Sequence, residues 1–174
     1  NVFIELVMNN TWGEETNELD SSKTKSNEFL KQAWFHEELH DLLNHGLKGK
    51  YTNEVVKRHR KVIAAFPRGG GKTTQIIGRI LWELGRNPNL RIKLIAETKE
   101  VAQQRVYEIK KHIEKNPFLK VVFPKLIPTN EDQWTNSKIY IKRDIITRDP
   151  TIIASGILGS ATGGRADLLI GDDV

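Results

Sequence analysis

Val62-Ile63-Ala64-Ala65-Phe66-Pro67-Arg68-Gly69-Gly70-Gly71-Lys72-Thr73-Thr74 is the stretch on which the fold turns. Its first five residues are an apolar run, consistent with a buried parallel strand. The residues that follow predict an amphipathic helix, because Ile76, Ile77, Ile80, Leu81 and Leu84 share one stripe and Gly85 and Pro88 bracket its end. A glycine cluster between a strand and a helix is the setting of a phosphate-binding loop. Glycines let backbone N–H groups curl round phosphate oxygens without Cβ clashes, and the helix N-terminus adds its dipole. In this reading Pro67, Arg68, Gly69, Gly70, Gly71, Lys72, Thr73 and Thr74 surround the phosphates. Lys72 reaches the β- and γ-phosphates of ATP and the Thr73 hydroxyl ligates Mg²⁺. The template G-x-x-x-x-G-K-[ST] has glycine where this chain has Phe66, so the match is partial. The competing reading is a flexible basic turn.

Such a loop needs an acidic partner at the end of a neighbouring apolar strand. Leu168-Leu169-Ile170-Gly171-Asp172-Asp173 supplies one, with Asp172 100 residues after Lys72. Asp172 would serve the metal, and Asp173 stands where a general base for the attacking water is expected. Glutamate is the usual residue there in ATPases, which leaves the shorter Asp173 and a residue past Val174 both open for that role. Taken alone, the pair also reads as surface carboxylates. Arg68 lies four residues before Lys72 and either pairs with developing γ-phosphate charge or anchors the loop. Arg165, ahead of the acidic strand, is a candidate arginine finger toward this site or a neighbour's.

Outward from these motifs, Ile92-Lys93-Leu94-Ile95-Ala96 predicts a strand. Thr98 then starts a helix with Ala102, Val106, Ile109 and Ile113 aligned, stopped by Asn116-Pro117. Ile139-Tyr140-Ile141-Lys142 alternates like a half-exposed hairpin strand, and Thr151 to Ala154 predicts another strand. Upstream, Val2 to Met8 is apolar, residues 9–28 are polar, and a helix is expected from Ser26 to about Asn44, with Gly46 as its stop. The expected organisation is an N-terminal arm or linker over residues 1–25 and one domain over 26–174. The element order is that of an α/β fold with helices on both faces of a mostly parallel sheet.

Composition narrows the classes. The chain has 174 residues with 38% hydrophobic and 28% charged, enough apolar material for a core and too much for a disordered chain. No apolar run approaches the roughly 18 residues of a membrane span, and no charged-then-apolar leader is seen. The absence of cysteine excludes a disulfide scaffold, a cysteine-ligated zinc and a thiol nucleophile. Residues 1–60 hold 8 Lys/Arg against 10 Asp/Glu, and residues 61–174 hold 19 against 12. That asymmetry suits a polyanionic partner and equally suits solvated helix faces.

One motif competes. His36-Glu37-Glu38-Leu39-His40 fits H-E-x-x-H, which on a helix would place two imidazoles on one face for Zn²⁺, with Glu37 as base of a zinc peptidase. No downstream signature places a third ligand, and the second charge, Glu38, sits where an apolar residue would help bury the helix. A polar helix face rich in His and Glu is the alternative.

From about Phe35 to Val174 the chain resembles the ATPase domain of viral large terminase subunits. Phe35 to Leu43 is similar to the segment ahead of the phosphate loop in that family, which accounts for the H-E-x-x-H match without zinc. Pro67-Arg68-Gly69-Gly70-Gly71-Lys72-Thr73 resembles the family's loop variant, and Arg165 to Asp173 its acidic strand. Asn116-Pro117-Phe118-Leu119 with Trp134 is a weaker likeness. The resemblance implies a P-loop NTPase fold of the RecA/ASCE kind and hydrolysis of ATP with Mg²⁺ to drive double-stranded DNA into a procapsid. It implies Lys72 and Thr73 on nucleotide and metal, Arg68 on the γ-phosphate, Asp172 at the metal, and Trp34 and Gln32 near the adenine. It also implies a homo-oligomeric ring, portal and small-subunit partners, no membrane, and the host-cell cytoplasm. An endonuclease part is expected only beyond Val174. The rival readings are a helicase-like DNA translocase, a nucleotide-gated DNA-binding module that does not turn over, and the zinc peptidase.

Overall fold

The computed structural model describes residues 3, 7–8, 33–48, 63–65, 69–129, 134–159 and 164–174. The elements are α1 Trp34–Lys48, α2 Lys72–Arg86, β1 Ile92–Ala96, α3 Lys99–Lys115, α4 Pro117–Val122, β2 Lys138–Ile139, β3 Ile152–Gly156 and β4 Leu168–Asp172. Phe3, Val7 and Met8 are helical as well.

Helix α2 forms where the apolar stripe predicts it, and Ile77, Ile80, Leu81 and Leu84 are fully buried. Helix α3 is capped by the Thr98 hydroxyl, which accepts from the Val101 N–H at 3.3 Å, and buries Ala102, Val106, Ile109 and Ile113. Asn116 ends α3 and begins α4, a short helix that the periodicity does not announce. Its side-chain oxygen accepts from the Leu119 N–H at 3.1 Å, and Pro117 fills the first helical position, where no N–H is needed. Helix α1 runs through Gly46 to Lys48 rather than stopping there. One glycine costs a helix about 1 kcal/mol relative to alanine and need not end it.

The strands lie in the order β2-β3-β1-β4, with β1 parallel to both β3 and β4 and β2 antiparallel to β3. The sheet is therefore mixed, where a mostly parallel one was expected, because Lys138 and Ile139 pair antiparallel with Ile153 and Ile152, while Ile141 bridges to Pro128. Ile92, Leu94, Ala96, Ile152 and Ala154 form one face and join the stripes of α2 and α3 in a single core. On the opposite face Leu169 is 63% exposed, so helical cover on both faces is not complete among the described residues.

The run at 62–66 is the main departure from expectation. Ile63, Ala64 and Ala65 lie outside every strand and are exposed, and Val62 and Phe66 lie outside the described residues. An apolar run becomes a strand only where a neighbour takes its N–H and C=O groups. Among the described residues no ladder bond reaches 63–65.

Parallel register decides where chemistry can gather. Ala96 pairs with Gly156 on one side and with Asp172 on the other, so the carboxyl ends of β1, β3 and β4 stand level. At the opposite end the Arg91 guanidinium clamps Asp167 through Nε at 2.9 Å and Nη2 at 2.6 Å, and reaches Asp149 at 3.3 Å. That clamp fixes where β4 starts and hence the height at which Asp172 emerges. The N-terminal residues close the core near α4. Phe3 packs on Trp82 and Phe123 with ring centroids 5.1 and 5.4 Å away, and the Val7 carbonyl accepts from the Asn116 amide at 2.6 Å.

Candidate functional site

The glycine loop enters α2 through two residues that use the freedom of glycine. Gly69 has φ 75° and Gly71 has φ 70°, both in the left-handed region. Gly71 is the N-cap of α2, and no side-chain cap hydrogen bond is made there. Gly70 and Gly71 belong to this turn, while Pro67 and Arg68 lie outside the described residues.

Lys72, Thr73, Asp172 and Asp173 meet, although some hundred positions separate the two pairs. The Thr73 hydroxyl donates to Asp172 Oδ2 at 3.0 Å. The Lys72 ammonium donates to Asp173 and lies 3.6 Å from Asp172 Oδ1. The Asp173 carboxylate, with Asp172 behind it, holds the Lys72 ammonium above its usual pKa. Asp172 is 1% exposed, and its Oδ1 has no hydrogen-bond partner among the described residues. Asp173 has a φ of 53°, uncommon for a residue with a side chain, and its carboxylate is mostly exposed. A backbone turned into the left-handed region directly after β4 aims the Asp173 side chain back toward the loop. Thr74 sits in the first turn of α2, half-buried.

A second cation completes the cluster. Arg105 of α3 donates from Nε to Asp172 Oδ2 at 3.2 Å. No motif marks Arg105. The one sequence signal is its place at the edge of the buried stripe of α3, between Ala102 and Val106. The site thus sets two cations and a hydroxyl against two carboxylates at the carboxyl edge of a sheet, beside a helix N-terminus. Hard oxygens, one of them buried and without a hydrogen-bond partner, suit a hard divalent cation, and the cations and turned loop suit an oxyanion.

The H-E-x-x-H residues of α1 join the same loop by hydrogen bonds. His36 Nδ1 accepts from the Ala33 N–H at 3.1 Å, and Nε2 donates to the Gly70 carbonyl at 2.6 Å. Both ring nitrogens are engaged, so neither keeps a lone pair for zinc. His40 Nε2 lies 2.7 Å from Gln75 Oε1 on α2, and burial pushes its pKa down. Among the described residues no group of three or more His, Cys, Asp or Glu is arranged to hold a metal ion.

Two candidates fall elsewhere. Arg165 is exposed and precedes β4, at the end of the strand opposite Asp172. The five residues of β4 alone span roughly 16 Å, so the strand holds Arg165 and the Asp172 cluster at opposite ends. Trp34 is 72% exposed at the start of α1, and Gln32 lies outside the described residues.

Over 116 residues, 67% of the chain, the sequence is 32% identical to the large terminase subunit of Enterobacteria phage T3. The chain is similar to a phage terminase. The match covers 19% of that terminase, so the chain spans about a fifth of the length of the relative it matches. No family model matches the chain.

Proposed function

We propose that residues 26–174 form an ATPase domain of a phage packaging terminase, a P-loop NTPase unit that hydrolyses ATP with Mg²⁺ to move double-stranded DNA. The observation that carries this reading is the meeting of Thr73 with Asp172 under a left-handed glycine turn, with Lys72 on the same pair of carboxylates. Likeness to a terminase large subunit supports the packaging context.

Thr73 Oγ1 and Asp172 Oδ1 are the oxygens that would hold the Mg²⁺, whose chemistry is to neutralise phosphate charge. Lys72 exchanges Asp173 for the β- and γ-phosphates on binding. Gly69 to Thr74 wrap the phosphates with backbone N–H groups, and Pro67 and Arg68 extend that loop. Asp173, released from Lys72, faces the water side and serves as the base or positions the water, unless a carboxylate past Val174 takes that part. Arg165, remote from its own site, acts on the site of a neighbour in a ring. Portal and small terminase subunit are the partners, and the host-cell cytoplasm is the setting. Among the described residues no helix is long and apolar enough to cross a membrane.

The test is ATP hydrolysis by the full-length protein that contains this chain, with and without double-stranded DNA. DNA-stimulated hydrolysis abolished by Lys72→Ala supports the motor. Nucleotide binding without turnover, with DNA and packaging partners present, would make the domain a nucleotide-gated DNA-binding module instead.

A further inference from the structure

We propose that Arg105 is the residue by which this site tells a nucleoside triphosphate from a diphosphate, acting from its own chain. The inference rests on the phosphate-loop reading and names a residue that neither the loop motif nor the acidic strand includes.

Three observations converge on it. Arg105 Nε donates to Asp172 Oδ2 at 3.2 Å, the same oxygen that accepts from Thr73. That bond uses one of the five guanidinium N–H groups, and among the described residues both terminal nitrogens are left without a partner. The Arg105 side chain is 28% exposed while Asp172 is 1% exposed, so the guanidinium spans from a buried carboxylate to the open side of the cluster.

Geometry then separates the two cations. Lys72, on the first turn of α2, is tied to the glycine loop and so to the phosphates that loop wraps. Arg105 comes from α3 and meets Asp172 at Oδ2, while the Lys72 ammonium lies 3.6 Å from Oδ1. The terminal phosphate is what a diphosphate lacks, so a contact that separates the two nucleotides must fall on it. A planar fork anchored at Nε and open at both terminal nitrogens matches two phosphate oxygens. Lysine at this position would carry the charge without the planar fork. The Asp172 anchor also limits the side-chain freedom lost on contact, which favours a selective interaction over a loose one.

The experiment is equilibrium titration of this chain and of Arg105→Ala and Arg105→Lys with a slowly hydrolysed ATP analogue and, separately, with ADP, both with Mg²⁺. The parent chain is expected to bind the analogue more tightly than ADP. Arg105→Ala should weaken the analogue about tenfold and change ADP by less than about twofold, since each tenfold is one modest charged contact. Arg105→Lys should recover only part of the analogue affinity. Equal weakening of both nucleotides would overturn the inference, because a merely structural role moves them together. Unchanged affinity for both would overturn it too. Failure of the parent chain to bind either nucleotide is a different result: it removes the phosphate-loop reading on which the inference rests, and the inference with it.

Discussion

The Thr73 hydroxyl donates to Asp172 Oδ2 at 3.0 Å across 99 positions of sequence. This contact joins the N-terminus of α2 to the carboxyl end of β4. It also leaves Asp172 Oδ1 buried without a hydrogen-bond partner among the described residues, with the Lys72 ammonium 3.6 Å away. Asp172→Asn removes the charge that a divalent cation would neutralise. The expected outcome is nucleotide binding that no longer responds to Mg²⁺, with a loss of at least tenfold in the Mg²⁺-dependent part, read by titration with and without the metal.

Asp173 should act in the opposite direction. Its carboxylate holds Lys72 in place of a phosphate and adds negative charge where a polyanion must sit. Asp173→Ala is expected to tighten the ATP analogue a few-fold while lowering any hydrolysis. Weaker binding of the analogue by this variant would show that Asp173 contacts the ligand favourably.

The α1 histidines support the loop from outside it. His36→Ala removes the donor to the Gly70 carbonyl and should weaken nucleotide several-fold without touching the ligand. His36→Gln, which keeps an N–H donor, should recover part of it. His40→Ala breaks a buried contact to Gln75 and should cost about 1–3 kcal/mol in denaturant unfolding. A zinc role would instead make both losses depend on added zinc.

Acid should destabilise the fold through His112. This imidazole is 1% exposed, its Nδ1 accepts from the Asn116 amide at 3.1 Å, and burial pushes its pKa down to about 4. The unfolded chain takes up a proton near pH 6.5 that the folded chain refuses until about pH 4. Stability therefore falls as pH drops through that window, by up to about 3 kcal/mol from this one group. His112→Gln should flatten that part of the slope, read as the difference between parent and variant unfolding curves from pH 7 to pH 4.

Gly156 marks a backbone approach that the loop composition does not reveal. A Cβ there would lie 2.8 Å from the Lys99 backbone nitrogen and 3.2 Å from the Thr98 carbonyl carbon, so the start of α3 would have to move. Gly156→Ala should cost about 1–3 kcal/mol by overpacking, measured as a lowered unfolding midpoint.

What the sequence made legible follows from the range of each signal. Helix α2, the α3 cap at Thr98 and strands β1, β3 and β4 depend on local periodicity and capping, and they stand where the pattern puts them. Lys72, Thr73, Asp172 and Asp173 come together because loop and strand-end motifs each specify a position relative to one element. The antiparallel β2 and the lack of a ladder bond at 63–65 among the described residues depend on which strand is a neighbour, which no local pattern states. Arg105 is invisible for the same reason: a helix residue reaches the site only once α3 has packed across the sheet. The H-E-x-x-H spacing did place two histidines on one face of α1, and the fold turns that face toward the loop.

The central claim is that Lys72 sits at the phosphates of a bound nucleotide. Calorimetric titration of this chain and of Lys72→Ala with a slowly hydrolysed ATP analogue and Mg²⁺ tests it most directly. The account predicts saturable binding by the parent chain, lost or weakened at least tenfold in Lys72→Ala while the variant keeps its fold by circular dichroism. Equal binding by both proteins would contradict it.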